Sequence, residues 1–213
     1  METRLLLGGA FGGLWRSTNA GSLSPDPNPG PVSVVWEPLI DDQPTLAVGA
    51  IALQPGNSNT ILVGTGETNN SSDSYYGLGI LFSTNGGSVW TQITGIGHPA
   101  DESFLGIGFS KIAFSTANPN LVVAATAGDN GLCVGEEEAA AGNSPLSCVG
   151  PQEDGNSTVR GLYYSLNAGA TWSRATLADG SVPASATAVI YNASNATFYA
   201  FIRRHGLYYS TDG

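Results

Sequence analysis

The stretch Ser83-Thr84-Asn85-Gly86-Gly87-Ser88-Val89-Trp90 decides how this chain is organised, because the sequence repeats it. One full second copy keeps serine, asparagine, glycine and tryptophan at the same offsets, and two further copies are partial. Self-similarity of this kind is typical of a repeat architecture, in which each copy belongs to one supersecondary unit. The motif positions are Ser17, Asn19, Gly21 and Trp36; Ser83, Asn85, Gly87 and Trp90; Ser165, Asn167, Gly169 and Trp172; and Ser210 and Asp212.

The composition of the 213 residues predicts an all-β protein. Hydrophobic residues make up 41% of the chain, which is enough for a folded core, whereas charged residues make up only 11%. The 29 glycines and the many serine, threonine and asparagine residues indicate frequent turns. Between them lie short β-branched and aromatic runs of strand length, and no amphipathic stretch of helix length.

The unit around the first motif predicts four antiparallel strands, at Leu46–Leu53, Thr60–Gly64, Gly79–Ser83 and Val89–Ile93. Four such strands in about 45 residues are typical of a β-propeller blade. The motif is then the hairpin between the third and fourth strands, where serine and asparagine side chains bond the turn amides and glycine takes left-handed angles. We therefore expect the motif to stabilise the fold rather than to catalyse a reaction.

The same pattern divides the chain into partial and complete blades. Closed propellers need at least four blades, so three to three and a half blades predict a fragment of a larger propeller, with the remaining blades as partners. The predicted divisions are 1–38 (outer strands of a blade), 45–95 (a blade), 104–176 (a blade with the long loop 128–160) and 184–213 (a truncated blade).

Charge and hydropathy exclude several classes of partner. The net charge is −10 with only seven lysines and arginines, which argues against nucleic acid. No apolar run approaches the roughly 20 residues of a membrane helix, so membrane insertion is not expected. The acidic, lysine-poor surface favours a secreted or cell-surface protein.

Two features have competing interpretations. The N-terminal stretch Met1–Phe11 superficially resembles a short signal peptide. Its run Leu5–Gly9 leads into Gly13–Ser17, however, as Ile61–Thr65 leads into Gly79–Ser83, so we predict a strand. Cys133 and Cys148 lie in one polar loop, and a disulfide between them is expected in an oxidising compartment, with two free thiols as the alternative.

The repeat resembles the Asp-box, or BNR, repeat of sialidase-like propellers, whose pattern is Ser-x-Asp-x-Gly-x-x-Trp. Asn85 and Asn167 replace the aspartate, whereas Asp212 keeps it. With the run Gly64-Thr65-Gly66-Glu67, the chain is similar to bacterial secreted glycosyl-hydrolase-like repeat proteins of xyloglucanase or sortilin type. The resemblance implies a propeller whose ligand face lies opposite the motif turns.

Polar and aromatic side chains of the loops on that face are the candidate ligand contacts. Carboxylates and amides can hold sugar hydroxyls, and tyrosine rings can stack on a sugar. No cofactor is predicted, and Ca²⁺ stays open as an alternative because acidic residues gather there without an Asp-x-Asp-x-Asp-Gly loop. The candidates are Glu67, Asn70, Asp73, Tyr75, Tyr76, Asp101, Asp129 and Arg160.

These observations leave two functions open. The first is a non-catalytic propeller segment that binds a glycan or a protein. The alternative is part of a glycoside hydrolase whose acid and base carboxylates lie partly outside this chain. The resemblance implies an aspartate before Gly12-Gly13, where Ala10 and Phe11 stand instead. A sialidase is not expected, because the family's Arg-Ile-Pro motif is absent.

Overall fold

A computed structural model of the chain confirms the all-β prediction, and its four antiparallel sheets are partial and complete propeller blades. No helix in the described part of the chain is long and apolar enough to cross a membrane. Gly21, Asp212, Cys133 and Cys148 lie outside the described residues. The structure describes residues 4–20, 34–68, 74–96, 103–127, 160–181, 185–203 and 205–210.

The first two sheets follow the chain, with each strand paired to the next along the sequence. The run at the N-terminal end is a strand, as predicted, and it pairs with the strand that follows it. The first sheet comprises β1 (Leu5–Gly9), β2 (Gly13–Ser17) and β3 (Glu37–Pro38), and the second comprises β4 (Val48–Gln54), β5 (Asn57–Thr65), β6 (Ile80–Ser83) and β7 (Thr91–Ile93).

The third and fourth sheets repeat this order, so each strand again pairs with its neighbour in the sequence. Contacts between successive sheets involve their leading strands, which is the radial arrangement of propeller blades. The third sheet comprises β8 (Gly108–Phe114), β9 (Val122–Ala127), β10 (Gly161–Ser165) and β11 (Ser173–Arg174), and the fourth comprises β12 (Ala186–Asn192), β13 (Thr197–Ile202) and β14 (Gly206–Ser210).

Three apolar cores lie between the four sheets, one at each junction. Strand β5 shows how they form, because successive side chains of a strand point to opposite faces. Ile61 and Val63 pack toward the first sheet, whereas Leu62 between them packs toward the third. Each fully buried aliphatic side chain stabilises the fold by about 1.5–3 kcal/mol relative to an exposed one. Both faces of a middle sheet are therefore apolar.

The repeated motif forms the hairpin that the sequence predicts between the third and fourth strands. The Gly87 amide donates to Ser83 Oγ (3.0 Å), and the Val89 amide donates to Asn85 Oδ1 (2.9 Å). These bonds keep Val89 and Trp90 in the turn, so β7 begins at Thr91, two residues later than predicted. The turn uses only the side-chain oxygen of Asn85, which explains why asparagine replaces aspartate at little cost.

The copies that begin at Ser165 and Ser17 have corresponding bonds where the structure describes them. The Gly169 amide donates to Ser165 Oγ and the Thr171 amide donates to Asn167 Oδ1, both at 2.9 Å. In the first copy the Val35 amide donates to Asn19 Oδ1 at 3.0 Å, although the two residues are 16 positions apart. The insertion therefore leaves the hydrogen bond of the motif unchanged.

The motif turns lie at one end of the sheets, which we call the motif end. There the Gly86 amide donates to the Asn59 carbonyl (2.8 Å), and the Ala168 amide donates to the Asn120 carbonyl (2.7 Å). Asn59 lies near the start of β5, and Asn120 lies in the turn between β8 and β9, so both acceptors are at the end of a sheet where its second strand begins. Because strands alternate in direction, the loops after β5 and β9 lie at the opposite end.

Candidate functional site

The end of the sheets opposite the motif turns carries the segments in which ligand contacts were predicted. We call it the loop end. Its described parts are the β1–β2 turn (10–12), the connection 39–47, the loop residues 66–68 and 74–79, and the connection 103–107.

Two aromatic rings from neighbouring sheets stack at the loop end. Phe11, in the β1–β2 turn, and Tyr75, in the loop between β5 and β6, have ring centroids 4.0 Å apart and planes inclined by 10°. Despite this contact Phe11 is 56% exposed and Tyr75 is 45% exposed. Tyr76 is the next residue and is also exposed. The loop end therefore presents a flat aromatic surface to solvent.

The turn that carries Phe11 is held in a tight conformation. A Cβ atom on Gly9 would lie 2.9 Å from the Cα atom of Gly12, so the two ends of the turn approach this closely because residue 9 is glycine. The indole Nε1 of Trp15 donates to the Gly12 carbonyl at 2.7 Å. These contacts fix the backbone on both sides of Phe11 and direct its ring away from the sheet.

The segment that carries Tyr75 is anchored by a buried threonine at the end of β5. Thr65 Oγ1 donates to the Gly79 carbonyl (2.6 Å) and accepts from the Leu78 amide (2.8 Å), which closes the base of the loop. The Glu67 amide donates to the Tyr75 carbonyl at 2.8 Å. The backbone of Tyr75 is thus tied to the strand end, while its ring stays exposed.

The connection into the third sheet supports the same loop. The Gly106 amide donates to the Gly77 carbonyl at 2.8 Å, and Leu105 forms a β-bridge with Leu78. Beneath it Phe104 is buried, edge-to-face against Phe109 and Tyr163. The aromatic surface therefore rests on the core between the second and third sheets.

Two acidic residues lie on segments that neighbour the aromatic pair. Asp41 is exposed on the connection 39–47, and its Oδ1 lies 3.7 Å from the position that a Cβ atom on Gly13 would take. Glu67 is half-buried at the base of the loop that holds Tyr75. Within the described ranges, no group of three histidine, cysteine, aspartate or glutamate side chains is placed to hold a metal ion. The site combines aromatic faces with hydrogen-bond acceptors.

The structure brings together only some of the predicted candidates. Glu67, Tyr75 and Tyr76 share the loop end, as expected. Arg160 is only 5% exposed, and its carbonyl accepts from Arg174 Nη2 at 2.9 Å, so the surface described here does not include it. The candidates outside the described residues are Asn70, Asp73, Asp101 and Asp129.

Sequence reasoning missed Phe11 as a candidate contact. A lone phenylalanine between glycines has no motif around it, and its partner Tyr75 is distant in the sequence. The repeat offered one signal. Phe11 lies in the loop before the strand that leads into a motif turn, and Tyr75 lies in the corresponding loop of the next blade. Equivalent positions in successive blades come close together at one end of the propeller.

Comparison with known proteins adds a likeness in fold. No protein-family model matches the chain, and no curated protein matches it. The chain is similar to a crystal structure of an ancestral GH74 enzyme, with a TM-score of 0.57 and 24% sequence identity. The similar region covers 97% of this chain and 21% of that one.

A second similar structure is the GH74 xyloglucanase from Xanthomonas campestris, with a TM-score of 0.59 and 17% sequence identity. The similar region covers 98% of this chain and 25% of that one. The chain thus spans a quarter or less of the length of these two structures. At these identities the likeness establishes the fold, a propeller of the type found in these glycoside hydrolases.

Proposed function

We propose that this chain is a non-catalytic propeller segment of the Asp-box type, and that it binds a glycan at the loop end. The observation that carries the proposal is the exposed stack of Phe11 on Tyr75. Exposed apolar patches with a polar rim are typical of ligand-binding surfaces, and sugar rings present apolar C–H faces to aromatic rings.

The surroundings of the stack suit a polyhydroxylated ligand. Asp41 and Glu67 offer carboxylate oxygens to hydroxyl groups, and the hydroxyl groups of Tyr75 and Tyr76 can donate or accept. The net charge of −10 disfavours an anionic polysaccharide and favours a neutral one. A neutral plant or microbial glycan outside the cell is consistent with the secreted or cell-surface location that the composition favours.

Binding assays with neutral glycans test this function. Affinity electrophoresis and calorimetry with xyloglucan, cello-oligosaccharides and other neutral glycans should detect binding by the wild-type chain. Phe11→Ala and Tyr75→Ala should each weaken it roughly fivefold, since one aromatic contact contributes on the order of 1 kcal/mol. Leu166→Ala is the matched control, because Leu166 is a large hydrophobic residue that is exposed at the motif end instead of the loop end.

Two results would contradict the proposed function. One is a wild-type chain that binds no glycan, and the other is binding that survives both aromatic substitutions. If the same surface bound a protein instead of a glycan, the proposed location of the site would stand and the class of ligand would change.

The second candidate is part of a glycoside hydrolase, which the likeness to two GH74 structures favours. Hydrolysis requires two carboxyl groups that flank the scissile bond. Asp41 and Glu67 are acidic residues of the segments that neighbour the stack, but Phe11 stands where the resemblance implies an aspartate. Release of reducing ends from xyloglucan, abolished by Asp41→Asn or Glu67→Gln while binding persists, would favour this candidate.

A further inference from the structure

Three copies of the motif carry asparagine, and they differ in the residue that follows it. Glycine follows Asn85, whereas alanine follows Asn19 and Asn167. Because glycine has no Cβ atom, its amide nitrogen reaches the side-chain carbonyl carbon of the preceding asparagine with little hindrance, and spontaneous deamidation is fastest at such pairs. Within the described residues, Asn85 is the only asparagine with a glycine after it. The copy that begins at Ser83 therefore contains a reactive pair that the other two turns lack.

The backbone of the turn explains why a glycine stands there. The residue after the asparagine takes a left-handed angle, with φ +74° at Gly86 and +58° at Ala168. Glycine adopts such an angle readily, whereas alanine adopts it with strain. A Cβ atom on Gly86 would approach no atom more closely than 3.4 Å, so alanine also fits this position sterically. Glycine thus relieves backbone strain and, by the same property, makes the pair reactive.

The closed turn shields the nitrogen that would react. Deamidation begins when the Gly86 amide loses its proton, but Gly86 is buried and its amide donates to the Asn59 carbonyl at 2.8 Å. From the first sheet, Arg16 Nη1 donates to the Gly86 carbonyl at 2.6 Å and holds the same residue in place. A base in solvent therefore does not reach the amide proton while these contacts are intact.

The side chain of Asn85 is also held. Its Oδ1 accepts from the Ser83 hydroxyl and from the Val89 amide, both at 2.9 Å, and these bonds restrict the rotation of the carboxamide. Asn85 itself is exposed, so water and ammonia exchange with solvent at this position. The reaction is thus restrained by the hydrogen bonds of the turn and not by a lack of water.

We propose that Asn85 is a site of spontaneous deamidation that is protected in the closed motif turn and reacts when the turn opens. The deprotonated Gly86 nitrogen attacks Asn85 Cγ. The new N–Cγ bond replaces the Cγ–Nδ2 bond, and ammonia leaves with the proton that Gly86 lost to solvent. Water then opens the cyclic imide. Hydrolysis of the N–Cγ bond gives aspartate, and hydrolysis at the backbone carbonyl carbon of residue 85 gives isoaspartate.

The two products affect the turn in opposite ways. Aspartate keeps an acceptor oxygen for the Val89 amide, and Asp212 stands at the same motif position in the fourth copy. Isoaspartate adds a methylene group to the main chain before Gly86, which displaces the Gly86 amide from the Asn59 carbonyl. Deamidation therefore yields either a turn that closes again or one that stays open. This chemistry is independent of glycan binding at the loop end.

Deamidation rates in the folded and the unfolded chain test the proposal. The wild type is incubated in mildly alkaline buffer with and without denaturing urea, and peptide mapping by mass spectrometry follows Asn85. The folded chain should react at least about tenfold more slowly, because the turn is open only part of the time. An isoaspartyl methyltransferase assay should detect isoaspartate at Asn85 in the unfolded sample. The other Asn-Gly pair of the sequence, Asn130-Gly131, falls in a different tryptic peptide.

Two variants separate the effect of the turn from that of the local sequence. Ser83→Ala removes two hydrogen bonds of the closed turn, so it should raise the rate in the folded chain and leave the rate in urea unchanged. Gly86→Ala gives the Asn-Ala pair of the third copy and should slow the reaction in both conditions to the level of Asn167. Far-UV circular dichroism checks folding. If Ser83→Ala does not fold, Arg16→Gln, which lacks the bond to the Gly86 carbonyl, replaces it.

Three results would overturn the proposal. The first is an equal rate at Asn85 in the folded and the unfolded wild type, which would show that the closed turn gives no protection. The second is a Gly86→Ala chain that reacts in urea as fast as the wild type, which would exclude attack by an unhindered glycine amide. The third is a folded Ser83→Ala chain, or its Arg16→Gln replacement, that reacts at the wild-type rate.

Discussion

The two ends of the same sheets are built on different principles. At the motif end the turns repeat, and each is closed by a buried serine and an asparagine oxygen within a few residues, as in Ser83 and Asn85. At the loop end the segments do not repeat, and exposed rings such as Phe11 and Tyr75 stand on anchored backbone. Repetition therefore marks what holds each blade together, and the variable end carries the surface available for recognition.

The largest loss of stability is expected when a glycine of a motif turn is replaced by alanine. Gly169 has φ +101°, and a Cβ atom there would lie 2.5 Å from Leu62 Cδ2 of the neighbouring sheet. Backbone strain and overpacking together should make Gly169→Ala destabilising by about 3 kcal/mol. Urea denaturation measures the change.

The matched control for that substitution is Gly56→Ala. Gly56 has φ +77°, but nothing lies within 4 Å of the position that its Cβ atom would take. Only the strain of the left-handed backbone remains, so Gly56→Ala should lower the free energy of unfolding by about 1 kcal/mol. Equal losses at Gly56 and Gly169 would show that the contact with Leu62 is unimportant.

A smaller loss is expected when the serine of the motif is removed. Ser83 is buried, and its hydroxyl accepts from the Gly87 amide and donates to Asn85 Oδ1. Ser83→Ala leaves the buried amide of Gly87 without this acceptor, which should cost about 2 kcal/mol in urea denaturation. Asn85→Asp keeps the side-chain oxygen and should stay within about 0.5 kcal/mol of the wild type. A large loss for Asn85→Asp would contradict the role given to that oxygen.

Substitutions at the loop end should change the free energy of unfolding much less than those in the motif turns. Phe11→Ser removes an exposed ring whose described ring contact is with Tyr75, so the loss should be about 0.5–1 kcal/mol. The same substitution should weaken glycan binding, so the two readouts separate recognition from folding. A loss as large as that of Gly169→Ala would show that the stack is part of the core.

The smallest effect is expected from the titration of Asp179, in the connection between the third and fourth sheets. Ser181 donates to Asp179 Oδ1 from its hydroxyl (2.6 Å) and its amide (2.9 Å), and these bonds lower the pKa of the carboxyl group. A lowered pKa contributes stability above the unfolded value, and this is lost as the pH falls through the folded value, below pH about 4.

NMR titration of the Asp179 carboxyl carbon measures that pKa directly. Ser181→Ala should raise it toward the ordinary value, because the hydroxyl of Ser181 makes the largest contribution to the lowered pKa. An unchanged pKa in this variant would show that another group lowers it. Since Asp179 is fully exposed, the global stability should hardly change.

Much of the fold could be predicted because its signals are local. Turn residues, strand alternation and the serine–asparagine hydrogen bonds all act within a few positions, so the hairpins at Ser83 and Ser165 were evident from the sequence. Strand limits were less accurate. Residues Val89 and Thr171 use their amides to close the turn, which delays the following strand by two residues.

The candidate site was only partly predictable, because it joins segments that are distant in the chain. Tyr75 and Tyr76 were recognised as loop aromatics, but the contact of Tyr75 with Phe11 requires two blades to be placed side by side. Arg160 was expected at the ligand surface because it ends a polar loop, and packing buries it instead.

By itself, the sequence determined that this protein is a series of β hairpins clasped by a repeated turn, since hydrogen bonds across a few residues need no distant partner. Tertiary structure alone decided which side chains are covered. Leu162 and Leu207 have identical neighbours in sequence, yet one is buried and the other exposed. Exposure depends on the sheet that packs against a strand, and no local pattern records whether that sheet is there.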